Sequence, residues 1–249
     1  MMQSHRRRAI AALLTMLAGN AAMADDKIIL LYNERIPYME TEANGDVAGL
    51  TATPAKLAFT RAGIPFEWKK LPTVTQIQWI QGNQKKACMI GWYKNSDREK
   101  IGKFSRAIYE DRQILAVGLA TNPKFGDDKS ARELVDNRQL VLLVKEGYSY
   151  GHVIDELISS KSPRISVTVG ENINMLSMLI YKRADYFFVG EDEASELMRR
   201  SGHNHKDFKI LHFANILHED PRRLWCTRQV PDAAMEKLNT EIERIWTKR

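Results

Sequence analysis

The chain has little of what marks a specialised class. It holds two cysteines, Cys88 and Cys226, in 249 residues. That is too few for a disulfide-rich scaffold or a four-thiolate zinc site. Glycine and proline number 14 and 8, which excludes collagen-like and low-complexity chains. Beyond the N-terminal stretch no run reaches the ~18 apolar residues that span a bilayer. An excess of one charge is also missing. The formal net charge is +6, and Arg6, Arg7 and Arg8 contribute three of the 37 Lys and Arg, so from residue 25 onward 34 basic residues face 31 acidic ones. That balance does not suit a nucleic-acid protein, and no basic block stands out to bind phosphate. No Walker motif, dinucleotide fingerprint or HExxH sequence occurs, and no cofactor is expected. What is present is ordinary globular composition, 44% hydrophobic and 27% charged, in a length that suits one large domain or two small ones.

Residues 1–24 read as an address. A short basic stretch ending at Arg8 precedes an apolar run from Ala9 to Gly19, and Ala22-Met23-Ala24 follows, with Asp25-Asp26 directly after. This is the three-part pattern of a cleavable secretory signal peptide. The run is too short for a membrane span. The reading predicts export to the periplasm.

The remainder alternates strand and helix. Residues 27–32 (KIILLY), 65–69, 87–93, 114–120, 140–145, 165–169, 186–189 and 224–227 read as strands from their short apolar runs. Thr53-Pro54 supplies an N-cap and a first-position proline for a helix that stops at Gly63. Further helices are expected at 75–81, from Gly147 through Ile158, at 172–182 and at 231–246, with a polar turn at 94–97. Such alternation predicts α/β units with parallel sheet. Ligands in open α/β sheets bind past the carboxyl ends of strands, which directs attention to residues 33–38, 91–98, 145–151 and 190–193.

Several motifs there carry two readings. Arg98 lies in the run Asp97-Arg98-Glu99-Lys100 and reads either as a solvated charge or as an anion-gripping fork. Trp92 and Tyr93 follow a buried run and suit a cleft wall, or a half-buried strand. Glu191, Asp192 and Glu193 suit a helix's first turn, with a ligand role as the alternative. Gly147-Tyr148-Ser149-Tyr150-Gly151 fits the G-x-S-x-G elbow of a serine hydrolase, with Asp185 and then His203, His205, His212 or His218 in hydrolase order. No glycine-rich oxyanion segment precedes it. His203-Asn204-His205 lacks further metal ligands at known spacing, so no metal is expected and a solvated loop is the simpler reading.

At these segments the chain resembles the extracellular solute-binding proteins of the polar amino-acid uptake class. The resemblance rests on the stretch from Tyr32 to Tyr38, Gly49-Leu50-Thr51, Ile90-Gly91 through Arg98, Lys103-Phe104-Ser105 with Tyr109, and Arg183 through Phe188. It covers nearly the whole chain after residue 24. It implies a two-lobed type II periplasmic-binding-protein fold, with residues 25–109 plus 223–249 as one lobe, 110–222 as the other, and a ligand cleft between them. It implies a monomer that captures a small polar or zwitterionic solute, amino-acid-like, for the permease of an ABC transporter. Arg98 takes the place of the carboxylate-gripping arginine, with Gly91 and Tyr93 beside it and Lys145 and Ser149 facing from the second lobe. Tyr32 stands where the family carries an acid for the ligand's ammonium, and the second-lobe acid falls near Gly190, with Glu191 just beyond. Glu34, Tyr38, Trp92 and Tyr148 complete the expected ligand-binding set. Some relatives of these binders are enzymes, so a dehydratase acting on a cyclic carboxylate is the alternative, beside the serine hydrolase.

By the same chain path both cysteines belong to the first lobe. In an exported protein they have no other partner, which predicts a Cys88–Cys226 disulfide. Two buried free thiols are the competing expectation.

Overall fold

The computed structural model describes residues 27–126, 130–214, 216 and 220–247. The expected signal peptide and His218 lie outside them. In chain order the elements are β1 (Ile28–Tyr32), β2 (Glu40–Thr41), β3 (Val47–Ala48), α1 (Ala52–Arg61), β4 (Phe66–Lys70), α2 (Thr73–Gly82), β5 (Ala87–Tyr93), α3 (Ser96–Glu99), β6 (Lys103–Tyr109) and β7 (Ile114–Leu119). There follow α4 (Ala131–Asp136), β8 (Val141–Lys145), α5 (His152–Lys161), β9 (Arg164–Thr168), α6 (Ile173–Ile180), β10 (Tyr186–Gly190) and α7 (Glu191–Arg200). A 3-10 turn (His205–Asp207), β11 (Phe208–His212), β12 (Arg222–Cys226) and α8 (Asp232–Trp246) complete the chain.

Two five-stranded sheets result, ordered β4-β1-β5-β12-β6 and β11-β7-β10-β8-β9. Helices cover both faces, which is why the central strands are apolar throughout rather than alternating. In β1, Leu30 and Tyr32 enter a core with α1 and α8, while Leu31 enters a second core with Ile80 of α2, Met89 and Trp225. In β10, Tyr186 and Phe188 face one core of the second lobe and Phe187 and Val189 the other.

The sheets are mixed, not parallel as the alternation predicts. Strand β12 runs antiparallel to β5 and β6, and β7 antiparallel to β10 and β11. The cause is the path. The chain crosses between the sheets after β6 and again after β11, so β7 and β12 enter their sheets from the cleft end. Strands β6 and β11 carry charged residues inside KFSRAIY and FKILH, which masked them in the sequence. Helix α5 begins at His152 rather than near Gly147, because Gly147 and Gly151 sit at φ of 76° and 83°, where no α-helix can pass. The turn expected at 94–97 contains α3 instead, capped by the Asn95 side chain on the Arg98 N–H.

Cys88 and Cys226 stand opposite each other in the β5–β12 register and form a disulfide, with Cα atoms 3.9 Å apart.

Candidate functional site

The loops at the carboxyl ends of β1, β5, β8 and β10 meet between the lobes. At their base lies a buried ion pair between the two crossings. Asp111 follows β6 and Arg222 opens β12, and their side chains are 0% and 3% exposed. Arg222 Nε donates to Asp111 at 2.5 Å, its other nitrogens reach the Gly91 carbonyl at 3.2 Å and the Tyr93 hydroxyl at 3.0 Å, and Asp111 accepts the hydroxyls of Tyr38 and Tyr93. Such full satisfaction is what a buried pair requires to offset its desolvation. The guanidinium also lies 4.1 and 4.6 Å from the ring centres of Tyr38 and Tyr93. These contacts fix both tyrosines as the floor of the cleft.

Above the floor is a narrow cavity lined by Asn33, Thr73, Trp92, Arg98, Tyr148 and Ser149, among others. Arg98 projects from α3 with its guanidinium 4.6 Å from the Trp92 ring, and Trp92 in turn packs 5.3 Å from Trp225. It donates to the Tyr93 carbonyl at 2.6 Å and across the cleft to the Gly147 carbonyl at 3.0 Å. No carboxylate among the described residues lies within ion-pair distance of it. Burial without such a partner lowers its pKa to about 10, so it stays charged at neutral pH.

The second lobe contributes Lys145, which is buried and bonded to Glu171 at 3.1 Å and Asn172 at 3.3 Å, under the Tyr148 ring. Asn33 of the first lobe reaches the same Glu171 at 3.3 Å. Beside the cavity Arg35 and Glu193 join the lobes through two parallel bonds of 3.0 and 2.7 Å, with Asn172 donating to Glu193 at 2.7 Å. Burial opposes the Arg35 charge, but Glu193 opposite it holds the proton far more firmly than usual. A further pair, Arg200–Glu40 at 2.6 Å, closes the rim. Gly147 touches the first lobe as well: a Cβ there would stand 2.5 Å from Ile77 Cδ1.

Of the residues expected at the site, the structure gathers Gly91, Trp92, Tyr93, Arg98, Tyr148 and Ser149 around the cavity, with Tyr38 and Lys145 buried directly behind. It places three elsewhere. Tyr32 turns into the first-lobe core and bonds Thr41, because strand alternation points it away from the cleft. Glu34 pairs with Lys70 at 2.8 Å and lines a separate pocket with Arg35, Glu171 and Glu193. Glu191 lies 3.5 Å from Arg112 outside the cavity. Sequence reasoning passed over Thr73, Asn33, Asn172, Asp111, and the pairing of Arg35 with Glu193. Those two lie 158 positions apart, and no local pattern links them.

Among the described residues the G-x-S-x-G segment does not assemble a hydrolase site. The Ser149 hydroxyl donates to Asp155, which also accepts the Tyr150 N–H at 2.8 Å. Asp185 accepts from Asn122 and the Val141 N–H, and His203 contacts Ser177. Among the described residues no group of three or more potential metal ligands occurs, and no helix is long and apolar enough to cross a membrane.

No family model and no curated protein sequence matches the chain. Solved structures do. An ancestral arginine-binding protein bound to arginine superposes with a TM-score of 0.70 at 16% identity, over 89% of this chain and 93% of that one. The substrate-binding protein of an amino acid ABC transporter gives 0.67 at 17%, over 89% and 93%. A structure from glutathione import in Streptococcus mutans gives 0.71 at 11%, over 90% of each chain. The fold is the two-lobed type II periplasmic-binding-protein fold.

Proposed function

We propose that the chain is a solute-binding protein. It captures a small, amino-acid-sized solute bearing a carboxylate in the interlobe cleft and delivers it to the permease of an ABC transporter. The observation that carries this reading is Arg98. It is a planar fork stacked on Trp92 at a cleft wall, held by backbone carbonyls, with no ion-pair partner among the described residues. A carboxylate entering the cavity meets two parallel charge-assisted donors. The solute docks against Trp92, Tyr93 and Arg98, and the second lobe then brings Tyr148, Ser149 and Lys145 over it. The pairs Arg35–Glu193 and Arg200–Glu40 exist only when the lobes meet, which is the differential contact that closure requires. The structural neighbours support this class of solute. The pattern of residues 1–24 supports export to the periplasm, where the protein acts as a monomer.

Thermal-shift screening of amino acids, organic acids, polyamines and aromatic amines tests the reading, since bound solute raises stability by mass action. Arg98→Ala should then cost a few kcal/mol of binding, on the order of a 100-fold loss, while leaving the fold intact. Unchanged affinity in that variant would reduce Arg98 to a surface charge and remove the basis of the reading.

A further inference from the structure

We infer that the cleft is built for a small organic anion without an ammonium group, and that Thr73, at the amino end of α2, is its second anchoring point beside Arg98. The inference rests on the solute-binding reading and narrows the solute.

An α-amino acid brings a cation that needs acceptors. Its nearby carboxylates and three of the cavity's backbone carbonyls already face protein donors. Asp111 takes Arg222 and two tyrosine hydroxyls. Glu193 takes Arg35 and Asn172, and Glu171 takes Lys145 and Asn33. Asp155, whose charge acts on Arg98, holds the Ser149 hydroxyl and the Tyr150 N–H. The Gly91 carbonyl accepts Arg222, and the Tyr93 and Gly147 carbonyls accept Arg98. An incoming ammonium group would meet Arg222 or Arg98 wherever it sought one of these carbonyls.

Two groups able to donate to an anion are left over, a guanidinium that can only donate and a hydroxyl that can. Arg98 has no ion-pair partner among the described residues. Thr73 lines the same cavity, is 4% exposed, and its buried Oγ1 makes no hydrogen bond among the described residues. Buried hydroxyls are nearly always bonded, so an unbonded one in a cleft wall marks where a ligand oxygen completes it. Thr73 also opens a ten-residue helix whose N-cap is Pro72, with no side-chain cap for the first-turn amides. Those amides and the helix dipole favour negative charge at the same point. Two anion-seeking features from separate elements, α3 and the start of α2, thus face one cavity.

Matched pairs of compounds differing only in the amine decide the question. Protein freed of bound solute by unfolding and refolding is titrated calorimetrically with succinate and aspartate, glutarate and glutamate, 3-phenylpropionate and phenylalanine, and 5-guanidinopentanoate and arginine. In the pair that binds, the deaminated acid is expected to bind at least tenfold tighter. Thr73→Val should weaken it about tenfold with an unchanged melting temperature, and Thr73→Ser should retain it. Tighter binding of the amino acid overturns the inference and leaves the solute-binding reading standing. Wild-type affinity in Thr73→Val overturns the anchoring role. If no member of either series binds, the inference fails; if the wider screen is also silent, the solute-binding reading falls with it.

Discussion

Removing the Arg35 side chain should open the molecule without unfolding it. In the closed arrangement Glu193 is fully buried and Arg35 is 15% exposed. Deleting one member of a buried ion pair costs roughly 3–5 kcal/mol, because the other charge stays desolvated. The Asn172 amide remains on Glu193, so the lower end, about 3 kcal/mol, applies. That penalty belongs to the closed arrangement alone, since separation of the lobes lets water reach the carboxylate. At about 1.4 kcal/mol per tenfold, Arg35→Ala should shift the closed-to-open ratio about 100-fold. Small-angle scattering of the solute-free variant should give a larger radius of gyration than wild type. Affinity for any solute that requires closure should fall by up to the same factor. The melting temperature should move by only a degree or two, because opening relieves the penalty before unfolding does. Replacing both partners, Arg35→Leu with Glu193→Leu, removes the orphaned charge and should recover part of the loss. A variant with unchanged scattering and affinity but a melting temperature many degrees lower would show that the pair supports the fold rather than closure.

Two further outcomes follow from the geometry. Reducing Cys88–Cys226, which spans 138 positions, should lower stability by about 5 kcal/mol in the chain-entropy limit, or roughly 10–20 °C by calorimetry for a chain of this size; a change under 2 °C refutes it. Gly147→Ala places a Cβ 2.5 Å from Ile77 Cδ1 at φ 76° and should weaken solute binding about tenfold from combined backbone strain and lobe contact. Adding Ile77→Ala should restore the contact part but not the strain, and a double variant no better than the single would show that the lobes do not meet there.

Much of the scaffold was legible because its central strands are continuous apolar runs. Residues 87–93 are identified to both ends, and β1 and β10 to within a residue. Strands β6 and β11 were not, because a strand that pairs at a sheet's edge keeps charged residues on its outer face. The site divides similarly. The strand-end rule directs attention to the segments carrying Tyr38, Trp92, Tyr93, Arg98 and Tyr148. It does not say which way a side chain turns, so Tyr32 is drawn toward the site although it faces the core. Arg222 and Asp111 meet only because both crossings pass one point. Thr73 is unremarkable as a letter in Leu71-Pro72-Thr73-Val74 and becomes a candidate only once its hydroxyl is known to be buried and unbonded.

Strand β12 lies inside the first sheet, between β5 and β6, yet it is delivered after all of the second lobe. A growing chain that has released β5 and β6 therefore holds two strands whose facing edges wait for a third. Premature termination anywhere in the second lobe would leave those edges bare, with the Cys88 thiol unoxidised between them. It would also leave Asp111 without the guanidinium that makes its burial tolerable. Half-made product would thus be marked for adhesion and proteolysis by open β-edges and an unpaired thiol. One late strand, through Arg222, Trp225 and Cys226, carries the floor of the cleft, the backing of Arg98 and the covalent seal together.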